Sequence, residues 1–287
     1  MTEQTQNKKK PLPGLSVVII TLNEALRIGD CLSSVSFADE IIVADSGSTD
    51  DTCKISQELG ARVEKIAFTG FGTTKQSAIE FARHEWILSL DADEIVGNTL
   101  QEEIKKVLKE PPQANGYIIQ RDAWFLGKRI RYGGWDNTRI LRLFRNGKGR
   151  FTDDQVHERI IVEGHLGSLN GILEHHTVTT FPHYLAKLDR YSTLGAQKIV
   201  SRSDNNIGIG SAFYHAIAKF LSMYVLKAGW RDGLPGALLA VSSAYSTFLR
   251  YTKAAMMLRG VTKPFLSSSL EERHIDRRDK GSEMNPE

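Results

Sequence analysis

WILSLDADE, residues 86–94, is the stretch on which the fold turns. Five residues of mostly apolar character end in Asp91-Ala92-Asp93-Glu94, which reads as a strand buried on both faces that delivers carboxylates at its carboxyl end. The thirteen residues before it, TTKQSAIEFARHE (73–85), carry a helical pattern. Three more strand-like runs lie upstream: LSVVIITL (15–22), EIIVAD (40–45) and the alternating ARVEKI (61–66). Helical spacing joins the first two through Ala25, Ile28, Cys31, Leu32 and Val35, and a second helix runs from Asp50 to about Leu59. This alternation predicts parallel βαβ units, hence an α/β fold with a Rossmann-like, mostly parallel sheet flanked by helices. Such sheets bind ligands outside the carboxyl ends of their strands. Three polar clusters fall there: Thr21-Asn23-Glu24, Asp45-Ser46 and Asp91-Asp93.

Downstream, NTLQEEIKKVLK (98–109) predicts a helix closed by Pro111-Pro112. Segments such as GYIIQRDAW, TRILRLF and RIIVEG within 115–175 predict mixed or antiparallel strands covering the far side of the sheet. The last third is helical, with patterns over 184–202, 211–230 and the uncharged 233–249. The expected organisation is a loose arm at 1–14 and a catalytic domain at 15–176, divided into a nucleotide-binding half (15–97) and an acceptor-side half (98–176). A helical extension at 177–263 and a serine-rich, then charged, tail at 264–287 complete it; the tail's composition predicts disorder.

Over 287 residues, 41% hydrophobic and 25% charged content is that of a globular protein. A net charge of +3 gives no argument for nucleic acid and remains compatible with anionic ligands or an anionic membrane surface. Two cysteines, Cys31 and Cys53, suit a reducing compartment. The polar N-terminus has no apolar core before Leu15, so neither a signal peptide nor an anchor is expected there.

Asp91 and Asp93, two apart at a strand end, can be aimed at one hard cation; Mg2+ or Mn2+ takes one or two carboxylates together with phosphate oxygens. A cation so held neutralises a diphosphate leaving group as charge develops on it. The plainer reading is a turn that caps the next helix. Asp45 can accept from a base N–H and Ser46 can contact ribose or phosphate, or both simply cap helix 50–59. Thr21, Asn23 and Glu24 can read the nucleoside or start a helix. Lys75 can pair with a phosphate near a helix N-terminus or stay solvated. Trp135, after Gly133-Gly134, can stack on a sugar face or fill a core. Arg142, with Arg139 and Arg145, can reach an anionic donor or acceptor or simply stay solvated.

Four motifs in order, VVIITLNE (17–24), IIVADSGSTDDT (41–52), TKQSAIEFA (74–82) and WILSLDADE (86–94), resemble glycosyltransferase family 2, whose nucleotide-binding fold is called GT-A. The resemblance covers about residues 15–175. It implies donor binding by Thr21, Glu24 and Asp45, and metal–diphosphate binding by Asp91 and Asp93; Asn23, Ser46, Lys75 and Ala92 complete the expected nucleotide-sugar site, to which Asp91 also belongs. Residues 133–160 and the C-terminal helices look like the subgroup of lipopolysaccharide core β-1,4-glucosyltransferases, which implies a hexose, glucose from a UDP donor, moved with inversion to a glycan or lipid-linked glycan acceptor. Many members use the aspartate of a Glu-Asp pair as general base; Val156-His157-Glu158 stands at that place here. An ionised carboxylate in reach can act as base, so Glu158 is the expected base and Asp154 the second choice, with His157 a third metal ligand or a group that orients the base. Alternatively, Glu158 pairs with Arg159.

The run 233–249 falls just short of the roughly 20 residues that span a bilayer and contains Pro235. It is expected either at the inner face of the cytoplasmic membrane, with the protein otherwise cytoplasmic, or packed as an ordinary helical hairpin or dimer interface. Two other function classes fit the sequence less well. A sugar-1-phosphate nucleotidyltransferase needs a glycine-rich basic loop after the first strand, and LNEALRIGD (22–30) has none. A non-catalytic scaffold leaves three sets of strand-end carboxylates without a use.

Overall fold

In the run Val17-Val18-Ile19 every residue is apolar and buried. Val17 and Ile19 join one apolar cluster and Val18 the other, so this strand lies between two packed layers. Each fully buried aliphatic side chain of this kind stabilises by about 1.5–3 kcal/mol. The computed structural model describes residues 12–135, 138–152, 159–178, 181–201 and 207–261. Of the arm expected at 1–14, residues 1–11 lie outside them, while Leu12–Gly14 belong to the first strand, with Leu12 in register with His84; the tail expected at 264–287 lies outside them.

The first half alternates as the sequence predicts: β1 (Leu12–Thr21), α1 (Ile28–Ser34), β2 (Glu40–Asp45), α2 (Thr52–Glu58), β3 (Arg62–Lys65), α3 (Phe71–Ile79) and β4 (His84–Asp91). Strands β3, β2, β1 and β4 pair in that order, all parallel. The helix expected over 73–85 stops early. The backbone N–H groups of Arg83 and His84 donate to Ser16 Oγ at 3.2 and 3.1 Å, which draws the chain into β4 from His84. Ser16 Oγ in turn donates to Glu40 at 2.7 Å, and Glu40 is paired with Arg62 at 3.0 Å, so a polar network closes the amino ends of these strands.

β5 (Glu94–Val96), α4 (Asn98–Lys109), β6 (Gly116–Phe125), β7 (Lys128–Arg129), β8 (Thr138–Arg145), β9 (Gly149–Phe151), β10 (Ile160–Val162) and β11 (Leu166–Val178) follow. Of the strands in 115–175, β6, β7, β8 and β11 join the sheet rather than cover it, while β9 and β10 pack Phe151, Ile160 and Val162 on the cluster of Val18, Ile42 and Ile87. β8 pairs antiparallel with β4, and β6, β11 and β5 continue outward, giving one nine-stranded sheet with the pair β9–β10 apart. The physical reason is the open edge of β4, whose N–H and C=O groups require partners. α4 buries Leu100 and Ile104 against this sheet, and Gly171 of β11 comes so close that a Cβ there would collide with the Leu100 backbone.

The described residues fall into two compact units, 12–131 with 135–177, and 132–134 with 178–261. The second holds α5 (Phe181–Val200), α6 (Ile209–Leu221) and α7 (Gly233–Leu258). The helix expected over 211–230 breaks into a π-helical turn at Ser222–Leu226 and a 3-10 turn at Gly229–Asp232, with Ala228 between them at φ 53°. The uncharged run 233–249 is the first part of α7. Pro235 sits in its first turn, where a missing N–H leaves no bond unmade.

Candidate active site

The carboxyl ends of β1, β2 and β4 are adjacent, and their register sets Thr21 opposite Asp45 and Ile20 opposite Asp91. Asp45 and Asp91 therefore flank β1 two strands apart, about 10 Å by the usual strand spacing. Polar groups separated by 46 residues of sequence share one edge of the sheet.

At the β2 end, Asp45 is buried and its two oxygens are filled from within the chain. Oδ2 accepts from the N–H groups of Gly47 and Ser48 at 2.9 Å each, while Oδ1 accepts from the Ser48 hydroxyl and from Thr21 Oγ1 at 3.2 Å. Burial pushes the Asp45 carboxyl up, but the bonds from Ser48, Gly47 and Thr21 outweigh it and hold the group below its ordinary range. Gly47 takes φ 105°, a left-handed backbone that lets the 46–48 turn wrap the carboxylate. Ser46 donates its N–H to Thr21 O at 2.9 Å. Asn23, at φ 57°, ties the two loops together: its N–H donates to Ser48 Oγ and its Oδ1 accepts from Thr49 N–H, both at 2.8 Å. Glu24 pairs with Arg27 at 2.5 Å, and Arg27 reaches Asp93 at 3.6 Å. These residues shape one loop platform.

At the β4 end, Asp91 is gripped by two cations. Its Oδ1 lies 2.7 Å from Lys75 Nζ and its Oδ2 2.7 Å from the Arg142 guanidinium. Lys75 is only 3% exposed, so it serves Asp91 rather than standing solvated at the start of α3. Burial pushes Asp91 up, and the charges and hydrogen bonds of Lys75 and Arg142 overcome this to hold it far below the usual carboxylate range. Arg142, expected to face an anionic donor or acceptor, is instead buried. It bonds Glu94 at 2.6 Å as well as Asp91, and those two carboxylates more than offset the burial that would lower its own proton affinity. Glu94 is fully buried, also accepts from Asp91 N–H at 3.0 Å, and lies 3.5 Å from Arg121. Ala92 is buried between the two acids.

Asp93 faces a different set of partners. Its Oδ2 is 3.4 Å from His175 Nε2, and its C=O accepts from His176 N–H at 2.8 Å. Burial raises Asp93, while the His175 hydrogen bond and charge, helped by Arg27, bring it net below its ordinary value. Beside it, His176 stacks on Trp124 with centroids 4.9 Å apart and bonds Glu174 at 3.0 Å. Trp135 is half-buried and meets Phe125 edge-on at 5.7 Å.

Glu158, Asp154 and His157, the expected base, its alternative and the expected third ligand, lie outside the described residues. The histidine brought to Asp93 among the described residues is His175. Sequence reasoning assigned it no role, nor any to Glu94, Arg27 or Arg121. The signal was present only as Glu174-His175-His176 at the end of a strand, with alternate side chains on opposite faces.

The donor set bears on a divalent ion. Among the described residues no three His, Cys, Asp or Glu groups form a cage. Both oxygens of Asp91 are held by cations at 2.7 Å, whereas the cationic neighbours of Asp93 Oδ2, His175 and Arg27, stand off at 3.4 and 3.6 Å, so Asp93 with His175 offers one oxygen and one imidazole to an ion. An oxygen and an imidazole with remaining positions open fit an Mn2+ or Mg2+ ion that takes its other ligands from phosphate and water.

The family model for glycosyl transferase family 2 matches residues 16–162, just over half of the chain, and spans the strand-end clusters at Thr21–Glu24, Asp45–Ser46 and Asp91–Glu94. The chain belongs to glycosyl transferase family 2. As a member it is a nucleotide-sugar glycosyltransferase. Among its relatives, the lipopolysaccharide core biosynthesis glycosyltransferase LpsC of Rhizobium meliloti is 33% identical over 250 residues, covering 83% of this chain and 91% of that one. An uncharacterized glycosyltransferase of Rickettsia typhi is 28% identical over 258 residues, covering 83% and 86%. Among solved structures, Staphylococcus aureus TarS 1–349 in complex with UDP-GlcNAc aligns over 86% of this glycosyltransferase and 92% of TarS, with a TM-score of 0.43 at 13% identity. At that distance no functional detail is carried across.

Proposed function

We propose that this glycosyltransferase moves a hexose, glucose from UDP-glucose, to a cell-envelope glycan of the lipopolysaccharide core class, with inversion in a single displacement. The observation that carries the reading is the convergence at one sheet edge of the Asp45 platform and the Asp91–Asp93 acids, two strands apart in register. The acceptor class rests on the 33% identity to LpsC across most of both chains.

In this reading the nucleoside lies against the loops built by Thr21, Asn23, Asp45 and Ser46. The diphosphate points toward Asp93 and Arg27. Asp93 and His175 would hold an Mn2+ or Mg2+ ion, which would neutralise charge on the departing diphosphate. Lys75 and Arg142 keep Asp91 ionised and fixed, so the loop carrying Asp93 is presented in one geometry. The acceptor hydroxyl attacks the anomeric carbon from the face opposite the leaving group. The carbon–oxygen bond to the diphosphate breaks with its electron pair leaving on the diphosphate. Glu158 takes the hydroxyl proton, with Asp154 the second choice; both are assigned from the sequence pattern.

The test is UDP release from a panel of UDP-sugars with core-glycan acceptor, with and without Mn2+ or Mg2+. UDP-glucose is expected to be the best donor, with loss of turnover on chelation, in Asp93→Asn and in Glu158→Gln. Turnover at the normal rate by Asp93→Asn, or with the metal removed, overturns the metal-assisted mechanism. A different preferred sugar overturns only the donor assignment.

A further inference from the structure

In the second unit, α6 and the turn after it leave a row of large apolar side chains exposed. Along α6 and the π-helical turn, Phe213, Ile217, Leu221 and Val225 are all exposed and recur every four residues, a ridge on one helix face with Tyr214 beside it. Phe213, Ile217 and Phe220 also line an apolar groove of about 390 Å³ against Val241, Tyr245 and Phe248 of α7. The ridge runs into the turn between α6 and α7, where Leu226 is 81% exposed, Trp230 58% and Leu234 72%. Lys227 and Arg231, also exposed, stand between these residues in sequence.

This tip is not a loose loop. Gly133 N–H donates to Lys227 O at 2.9 Å, Tyr132 N–H donates to Asp232 at 2.8 Å, and the Arg231 guanidinium lies 4.4 Å from the centre of the Tyr132 ring. The backbone is held so that large apolar side chains face outward, which is unfavourable in water and signals a partner.

The charges say which partner. Residues 207–261 carry Lys219, Lys227, Arg231, Arg250, Lys253 and Arg259 against a single acid, Asp232, and that acid is turned to Tyr132 N–H. Among the described residues no carboxylate pairs with Lys219, Lys227 or Arg250, whereas Lys253 is neutralised by Asp189 at 2.6 Å. Burial, then the charges of Lys227 and Arg250, hold Lys219 below the usual lysine range, so the three share one uncompensated positive field. A protein partner of ordinary composition does not require this excess. An anionic lipid surface does.

We propose that the α6–α7 tip, with the ridge beside it, seats this glycosyltransferase on a lipid bilayer of net negative charge. The segment lies on the bilayer rather than crossing it. Residues 209–226 form the one described stretch long and apolar enough to be considered for spanning, but at about 1.5 Å per residue they reach about 27 Å, with Lys219 inside the stretch. The surface is built from α6, the turn after it and Leu234 at the start of α7, with α7 otherwise supplying the groove wall, rather than from the uncharged run 233–249 as a whole. It stands independently of the sugar and acceptor assignments.

The experiment is flotation of the full chain with phosphatidylcholine vesicles, with and without phosphatidylglycerol, at low and high salt. Binding is expected to vesicles containing phosphatidylglycerol and to fall with salt. Leu226→Ser with Trp230→Ser should weaken it by at least about tenfold. Lys227→Ser and Arg231→Ser should each weaken it about fivefold and flatten its salt dependence. Doxyl-labelled lipid should quench tryptophan emission in the wild type and not in Trp230→Phe. UDP release should be unchanged in these variants, which shows them folded. The proposal is overturned by absence of binding at low salt, by equal binding to neutral vesicles, or by full binding of Leu226→Ser/Trp230→Ser. A wild-type dimer that those substitutions turn into a monomer also overturns it, since the face then joins two copies.

Discussion

Arg142→Met removes a guanidinium while keeping a side chain of similar length, and its effect is set by what the guanidinium leaves behind. Glu94 is fully buried and bonded to Arg142 at 2.6 Å; its only other cationic neighbour among the described residues is Arg121, at 3.5 Å. Asp91 loses one of two cations and keeps Lys75 at 2.7 Å. Deleting one partner of a buried ion pair costs about 3–5 kcal/mol, because the other charge stays buried. Arg121 is partly exposed and can close on Glu94, which argues for the lower end, about 3 kcal/mol. In a chain of this size that lowers the melting temperature by about 6–12 °C. Adding Glu94→Gln removes the stranded charge, so the double variant should recover at least about 1 kcal/mol relative to Arg142→Met. Urea unfolding followed by circular dichroism, at neutral pH on all four members of the cycle, measures both numbers. A single variant within about 1 kcal/mol of wild type, or a double variant no more stable than the single, would refute the reasoning that this arginine compensates Glu94.

Other consequences follow from the same site and fold. Asp45, Asp91 and Asp93 are all held below their ordinary range, so the stability they contribute is fully present above the unfolded carboxylate value of about 4 and is lost as pH falls through the lower folded values. Urea midpoints should therefore be flat from pH 7 to 5 and drop below about pH 4. A flat profile down to pH 3 would count against these ion pairs. His175→Ala should raise the Mn2+ concentration needed for half-maximal UDP release by about 10–100-fold while leaving the fold intact, and an unchanged metal titration would remove His175 from the site. Gly171→Ala places a methyl group against the Leu100 backbone where β11 crosses the start of α4, and should lower stability by about 1–3 kcal/mol in thermal melts. A neutral result there would mean that α4 shifts freely.

The alternation of strands and helices in the first half was legible because a strand buried on both faces must be apolar throughout, as Val17, Val18 and Ile19 are. The acids at the strand ends were legible for the same reason: Asp45 and Asp91 end apolar runs, where the chain leaves the core. The reach of the helices was less so. Helical spacing continues from α3 through 80–85, and bonds to residues far away in sequence hold that segment outside the helix: Arg83 and His84 to Ser16, and Arg62 to Phe81 O. The antiparallel strands were recognisable as strands but not as members of the same sheet, since nothing local in TRILRLF records that its partner is β4.

Sequence determined which side chains stand at the sheet's edge, because position along a buried strand and chemical type are both local properties. Tertiary structure decided what those side chains do. Arg142 reads as a basic residue free for an anion until β8 lies against β4 and buries it between Asp91 and Glu94. His175 reads as nothing in particular until β11 pairs with β5, which sets it opposite Glu94 and carries its ring to Asp93. An ion pair is an energy between two positions in space, and the separations of 51 and 82 residues that these pairs span leave no periodic trace in the chain.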